Sequence, residues 1–168
     1  MNLPNKLQTK LSKNAKLYYD GYKNDNQEKI DKACNNLYID TCGWDCIGNG
    51  SGRNVFDMNI LGYENYVLKL AIPHSKYDGI KQNKKEYMLW NKLDSEKKNY
   101  LAPVIDADSS GYWLVMEKGV SDFKIDYEWI ENAKYYLRDY VWVEDIYDEN
   151  IVSINGELKI CDYGTNVN

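Results

Sequence analysis

The chain has 168 residues, enough to bury a core in one domain or in two small lobes. Apolar residues make up 43% and charged residues 28%, and the net charge of −5 argues against a protein whose main task is to grip nucleic acid. The opening MNLPNKLQTK lacks the apolar core of a signal peptide, and no later run approaches ~18 apolar residues, so we expect a cytoplasmic address and no membrane partner.

Residues 1–40 are polar and rich in Lys and Asn. Leu7, Leu11, Leu17 and Tyr18 suggest one short amphipathic helix, and 27–37 a second. Cys42 and Cys46 could be two metal ligands, but His74 is the sole histidine and no second pair stands at zinc-site spacing, so structural zinc is not expected. From Trp44 the texture turns β-like. Strands are expected at Val55–Met58 and Tyr66–Ile72, with Gly62 in the turn between them and Pro73 ending the second. His74 follows that break and reads as a solvated loop residue, which argues against Ser-His-Asp chemistry. Asp78 is a natural N-cap for a helix from 79 to about 94. Ala102–Ala107 and Tyr112–Met116 should form a hairpin, and 126–141 a helix with Ile130, Ala133, Leu137 and Tyr140 on one face. Ile151–Ile154 and Glu157–Cys161 flank Asn155-Gly156, a strong hairpin signal. Strands, helix, hairpin, helix, hairpin is an α+β order without the alternation of a parallel sheet.

Three constellations carry chemistry. Gly48-Asn49-Gly50-Ser51-Gly52 lacks a following Gly-Lys-Ser/Thr and precedes a strand, so it is neither a Walker loop nor a dinucleotide fingerprint. It is either a flexible hairpin turn or a flap whose amides close over phosphates. In Tyr66–Ile72, alternation puts Lys69 on a face with Val67 and Ala71, where an ammonium needs an anion. Glu86 shares a helical face with Leu89, Trp90 and Leu93 and is the natural partner, unless it lies at the solvated edge of that stripe. A two-residue turn at Asn155-Gly156 sets Asn150 opposite Cys161, so Asn150 and Asp162 emerge at one end of the last hairpin. They are either ordinary turn residues or two hard oxygen donors suited to Mg²⁺.

From Gly48 to Gly164 the chain resembles a protein kinase, with the motifs in family order. Gly48-x-Gly50-x-x-Arg53-x-Val55 resembles the glycine-rich loop, with Arg53 at the third glycine. Val67-Leu68-Lys69 resembles the strand of the phosphate-binding lysine, and Glu86 its helix glutamate. Leu114–Gly119 resembles the hinge, with Met116 as gatekeeper. Asp145-x-x-x-x-Asn150 resembles the catalytic loop, and Asp162-Tyr163-Gly164 resembles D-F-G. The texture is closest to small kinase-like proteins of phages and bacteria. The resemblance implies an antiparallel-sheet N-lobe over 44–119 with one helix, a minimal C-lobe over 120–168, and a helical extension over 1–43. It also implies ATP and Mg²⁺ as cofactors. Val55, Val67 and Val152 would sandwich the adenine, and the backbone at Glu117 and Gly119 would bond its edge. Lys69 would contact the phosphates, Asn150 and Asp162 would hold Mg²⁺, and Asp145 would accept the proton of an attacking hydroxyl.

The departures are as informative. Val143-Glu144 replaces the family's His-Arg, Tyr147 stands where many members carry a lysine, and the chain stops four residues after Gly164. A full-length member would continue through an activation segment and a peptide-seating platform. Residues 1–43 would then either pack on the lower lobe as a replacement or serve as a docking arm. Two functions follow: a small phosphotransferase from ATP to a hydroxyl acceptor, including a protein substrate, or a pseudokinase-like module that binds a host protein.

Overall fold

The computed structural model describes residues 3–39, 46–124 and 126–165. Trp44, Cys42 and the expected boundary at 43/44 lie outside them.

Two helices open the fold. α1 (Asn5–Lys23) is longer than the short helix expected from its leucines, and α2 (Gln27–Leu37) runs as its spacing predicts. Leu11, Ala15 and Tyr18 recur at helical spacing and are buried against Ile30, Ala33 and Leu37. A Cβ on Gly21 would lie 2.7 Å from the Ile30 side chain, so glycine is what lets the helices approach. Asn36 Nδ2 donates to Asn14 Oδ1 at 2.9 Å, satisfying a buried amide between them.

The centre is a five-stranded antiparallel sheet of order β1-β2-β3-β5-β4. Its strands are β1 (Cys46–Asn49), β2 (Arg53–Asp57), β3 (Tyr66–Ala71), β4 (Val104–Ala107) and β5 (Trp113–Glu117). Alternation sorts the side chains into two layers. Phe56, Leu68, Leu70, Trp113 and Val115 point to one core, shared with α1 and α2. Val55, Val67, Leu114 and Met116 point to the other, shared with α3 (Gly79–Lys92) and the C-terminal part. Both faces are therefore covered, which is why Val67 through Ala71 are all buried. Residues 3–39 thus pack on the outer face of the sheet, not on the part after residue 119 as one of the two expectations had it.

Asp78 caps α3 as expected, accepting from Ile80 N at 2.9 Å. The helix ends at Lys92 rather than about 94, because Leu93 is extended and Asp94 caps a further short helix, α4 (Ser95–Lys98). Ala102 falls outside the expected hairpin strand; its N–H donates to Ile160 O at 2.9 Å instead. α5 (Tyr127–Leu137) is shorter than 126–141, and the chain leaves helix before Val141-Trp142-Val143, a poor helix-forming run.

The last hairpin, β6 (Ile151–Ile154) and β7 (Glu157–Ile160), has the expected register, with Ile154 facing Glu157 and Ile151 facing Ile160. Asn155 and Gly156 have φ of 54° and 84°, the pair of positive angles that a type I′ two-residue hairpin turn requires. Val120 and Ser153 exchange backbone hydrogen bonds at 2.9 and 2.8 Å, tying the hairpin to the segment after β5. Among the described residues no helix is long and apolar enough to cross a membrane.

Candidate functional site

A cleft of about 1040 Å³ separates the inner face of the sheet from the β6–β7 hairpin. Gly48, Gly50, Val55, Val67 and Lys69 line its upper wall, and Met116, Glu117 and Gly119 its back edge. Asp145, Asn150, Val152 and Asp162 line the lower wall. Of the residues expected to act in catalysis, nucleotide binding or Mg²⁺ binding, Glu86 alone does not line the cleft; it lies fully buried behind Lys69.

Glu86 organises the floor. Its position on the α3 stripe turns it inward, where a bare carboxylate would be very costly. Lys69 Nζ donates to Glu86 Oε1 and Oε2 at 3.1 and 3.0 Å, so the expected pair is present. A second cation shares the carboxylate. Arg53 Nη1 stands 2.9 Å from Glu86 Oε2, and Nη2 donates to Oε1 at 3.0 Å, the two-pronged match of guanidinium to carboxylate. Tyr163 N donates to Oε1 at 3.1 Å.

Arg53 also donates through Nη2 to Asp162 Oδ1, and Lys69 Nζ to the carbonyl of Cys161. Two cations thus meet two carboxylates at the floor. Among the described residues no buried side-chain nitrogen or oxygen lacks a partner. Burial alone would push the Asp162 carboxyl up, but Arg53 and Lys69 outweigh it and hold the pKa below the ordinary value. For Arg53, burial works against the charge, and the carboxylates of Asp162 and Glu86 more than restore it, raising its pKa. Burial is the largest influence on the Cys161 thiol, with Lys69 and Arg53 pulling its pKa down and Asp162 and Glu86 pulling it up; the thiol is pushed up to about 11 and is inert as a nucleophile near neutrality.

Two close approaches fix the rim. A Cβ on Gly164 would lie 2.6 Å from Gln82 O, so Asp162-Tyr163-Gly164 can press onto α3 only with glycine there. A Cβ on Gly52 would lie 2.0 Å from Tyr77 O, so this glycine anchors the β1–β2 turn to the start of α3. Tyr163 is fully buried, and its hydroxyl donates to Ala102 O at 3.0 Å. At the back edge of the cleft, the amides of Lys118 and Val120 donate to Asn65 O and Ser153 O at 2.8 and 2.9 Å. Among the described residues, no group accepts from the Gly119 amide between them.

On the lower wall Asn150 Nδ2 donates to Asp145 O at 2.9 Å, which holds the Asp145 turn and Asn150 as a unit. Cys161 N donates to Asn150 O at 2.9 Å, as the hairpin register requires, so Asn150 and Asp162 do share one end of the hairpin. Lys85 reaches across from α3 to donate to Thr165 O. Desolvation lowers its pKa, with Asp145 and Glu86 pulling the other way.

Among the described residues no three His, Cys, Asp or Glu side chains cluster as a metal site. Asn150 and Asp162 are two oxygen-bearing groups on one wall of an open cleft. That is a donor set of the kind Mg²⁺ accepts, since it keeps most of its shell as water and phosphate. Arg53, Gly52 and Tyr163 stand inside the sequence motifs, but carried no expected role in the site. Alternation counted back from Val55 places Arg53 on the cleft face, which is the signal that would have found it. The chain matches no protein-family model, and no curated protein matches it either.

Proposed function

We propose that the chain is a protein-kinase-like nucleotide-binding protein that takes ATP with Mg²⁺ and transfers a phosphoryl group to a hydroxyl acceptor. The observation that carries this reading is the buried Lys69–Glu86 pair, at 3.0 Å, on the floor of a cleft roofed by the glycine turn. A lysine so held presents a fixed cation to the cleft, which suits a phosphate chain better than a neutral ligand. Val55, Val67 and Val152 offer apolar surface to an adenine, and the unpartnered Gly119 amide a donor to its edge. Asn150 and Asp162 would hold Mg²⁺, which would neutralise charge on the phosphates. Asp145 would take the acceptor's proton as the acceptor oxygen bonds to the terminal phosphorus and the bond to ADP breaks.

A second reading has one observation in its favour: Asp162 is already engaged by Arg53. On that reading the chain is a pseudokinase-like module that binds nucleotide for stability and another protein for its effect.

The test is twofold. ATP with Mg²⁺ should raise the melting temperature, by ~2.7 kcal/mol of added stability at a hundredfold excess over Kd. Asp145→Asn should keep that shift yet abolish transfer of label from the terminal phosphate of ATP to the protein, to lysate or to small hydroxyl compounds. No shift at saturating ATP would end the nucleotide reading, and no transfer by the unmodified chain would favour the binding module.

A further inference from the structure

One guanidinium holds both the Asp162 carboxylate on the cleft wall and the Glu86 carboxylate buried behind it. Arg53 is 3% exposed and begins β2, so its backbone is fixed by the β3 ladder on one side and its fork by Glu86 on the other. Such a side chain keeps its charge at any pH the protein experiences. Its Nη2 reaches Asp162 Oδ1, and the Asp162 side chain is still 41% exposed on the cleft side. The carboxylate therefore meets the cleft with one oxygen already engaged by a cation.

Resting on the reading that Asp162 and Asn150 hold a divalent cation, we propose that Arg53 is the resident counter-cation of Asp162. It takes Oδ1 permanently, leaving oxygen for one divalent cation and none for a second. That cation must bind beside a positive charge that cannot move away or deprotonate. Two consequences follow from the sign of that charge. Divalent cations should bind poorly until phosphates add negative charge to the cleft. Removing the Arg53 charge should strengthen cation binding even as it loosens the fold, since Glu86 keeps Lys69 and the Tyr163 amide. A purely structural arginine would move both in the same direction.

Mn²⁺ is the probe, titrated into the full chain with and without a non-hydrolysable ATP analogue. Free Mn²⁺ is read by electron paramagnetic resonance, and folding by circular dichroism. The unmodified chain should bind one Mn²⁺ with the analogue and show little binding without it. Arg53→Met should lower its melting temperature but bind Mn²⁺ about tenfold tighter or more, and admit a second ion. Arg53→Lys keeps the charge and should stay within about threefold of the unmodified affinity. A folded Arg53→Met that binds Mn²⁺ no more tightly overturns the proposal. So does an unmodified chain that takes two ions, a result that needs no variant to fold. Analogue binding with two ions refutes the inference alone, whereas binding of neither analogue nor Mn²⁺ refutes the nucleotide reading and the inference together.

Discussion

The two faces of the central sheet are made by alternate residues of the same strands, yet they are built on opposite principles. On the outer face Phe56, Leu68, Leu70, Trp113 and Val115 meet Leu11, Ala15 and Tyr18 in an apolar layer. Its polar groups are few and locally answered: Trp113 Nε1 donates to Ser12 Oγ at 2.9 Å, and Asn54 Nδ2 to the Tyr18 hydroxyl at 2.7 Å. On the inner face Arg53, Lys69, Glu86 and Asp162 bring four charges together. An apolar layer of similar volume is commonly as stable as a buried ion cluster, or more so. Stability alone therefore accounts for the outer face but gives no reason for the inner one, which is why we place function there.

The largest effect expected on this comparison is at Glu86. Glu86→Ala leaves Arg53 and Lys69 facing each other without their shared anion and should cost roughly 3–5 kcal/mol in urea unfolding. Lys69→Met should cost clearly less, because Arg53 still answers Glu86. Equal costs for the two would mean that Arg53 is not a true sharer. On the outer face, Leu68→Ala should cost about 2–5 kcal/mol through the cavity it leaves. It should not alter the ATP-dependent rise in melting temperature; a lost rise in a variant still folded would show that the faces are not separable. Gly164→Ala is smaller, about 1–3 kcal/mol, from forcing a methyl against Gln82 O. Because the displaced segment carries Asp162, nucleotide stabilisation should fall with it, which calorimetry would read directly.

The smallest effect is a pH dependence confined to the outer face. Burial raises the Tyr18 hydroxyl above its ordinary pKa of 10.0, followed by smaller contributions from Tyr22 and Asn54 of opposite sign. A raised folded pKa means the contribution is complete below pH 10 and is lost as pH rises through the folded value. The stability gap between the unmodified chain and Tyr18→Phe should therefore narrow above about pH 10. A gap that stays constant to about pH 11 would place Tyr18 in water.

Much of this was legible from local chemistry. The hairpin register followed from Asn155-Gly156 because this pair readily takes the two positive φ angles of one tight two-residue hairpin turn, and register then dictates which residues share an end. The α3 cap, and the inward turn of Glu86 beside Lys69, followed from spacing and from the cost of an unpaired buried charge. Each of these is a rule about neighbours a few residues apart, or about one charge needing one opposite charge.

What tertiary structure alone decided has longer reach. Arg53 is 33 residues from Glu86 and 109 from Asp162, so no local pattern names its partners; alternation gives its face and nothing more. The docking of α1 and α2 on the outer face was equally open in the sequence, because their amphipathic stripes would suit any apolar surface. The sheet settles it by presenting an apolar set of alternate residues on one face, while charges occupy the other. A helix stripe states that something must cover it; only the assembled chain determines what does.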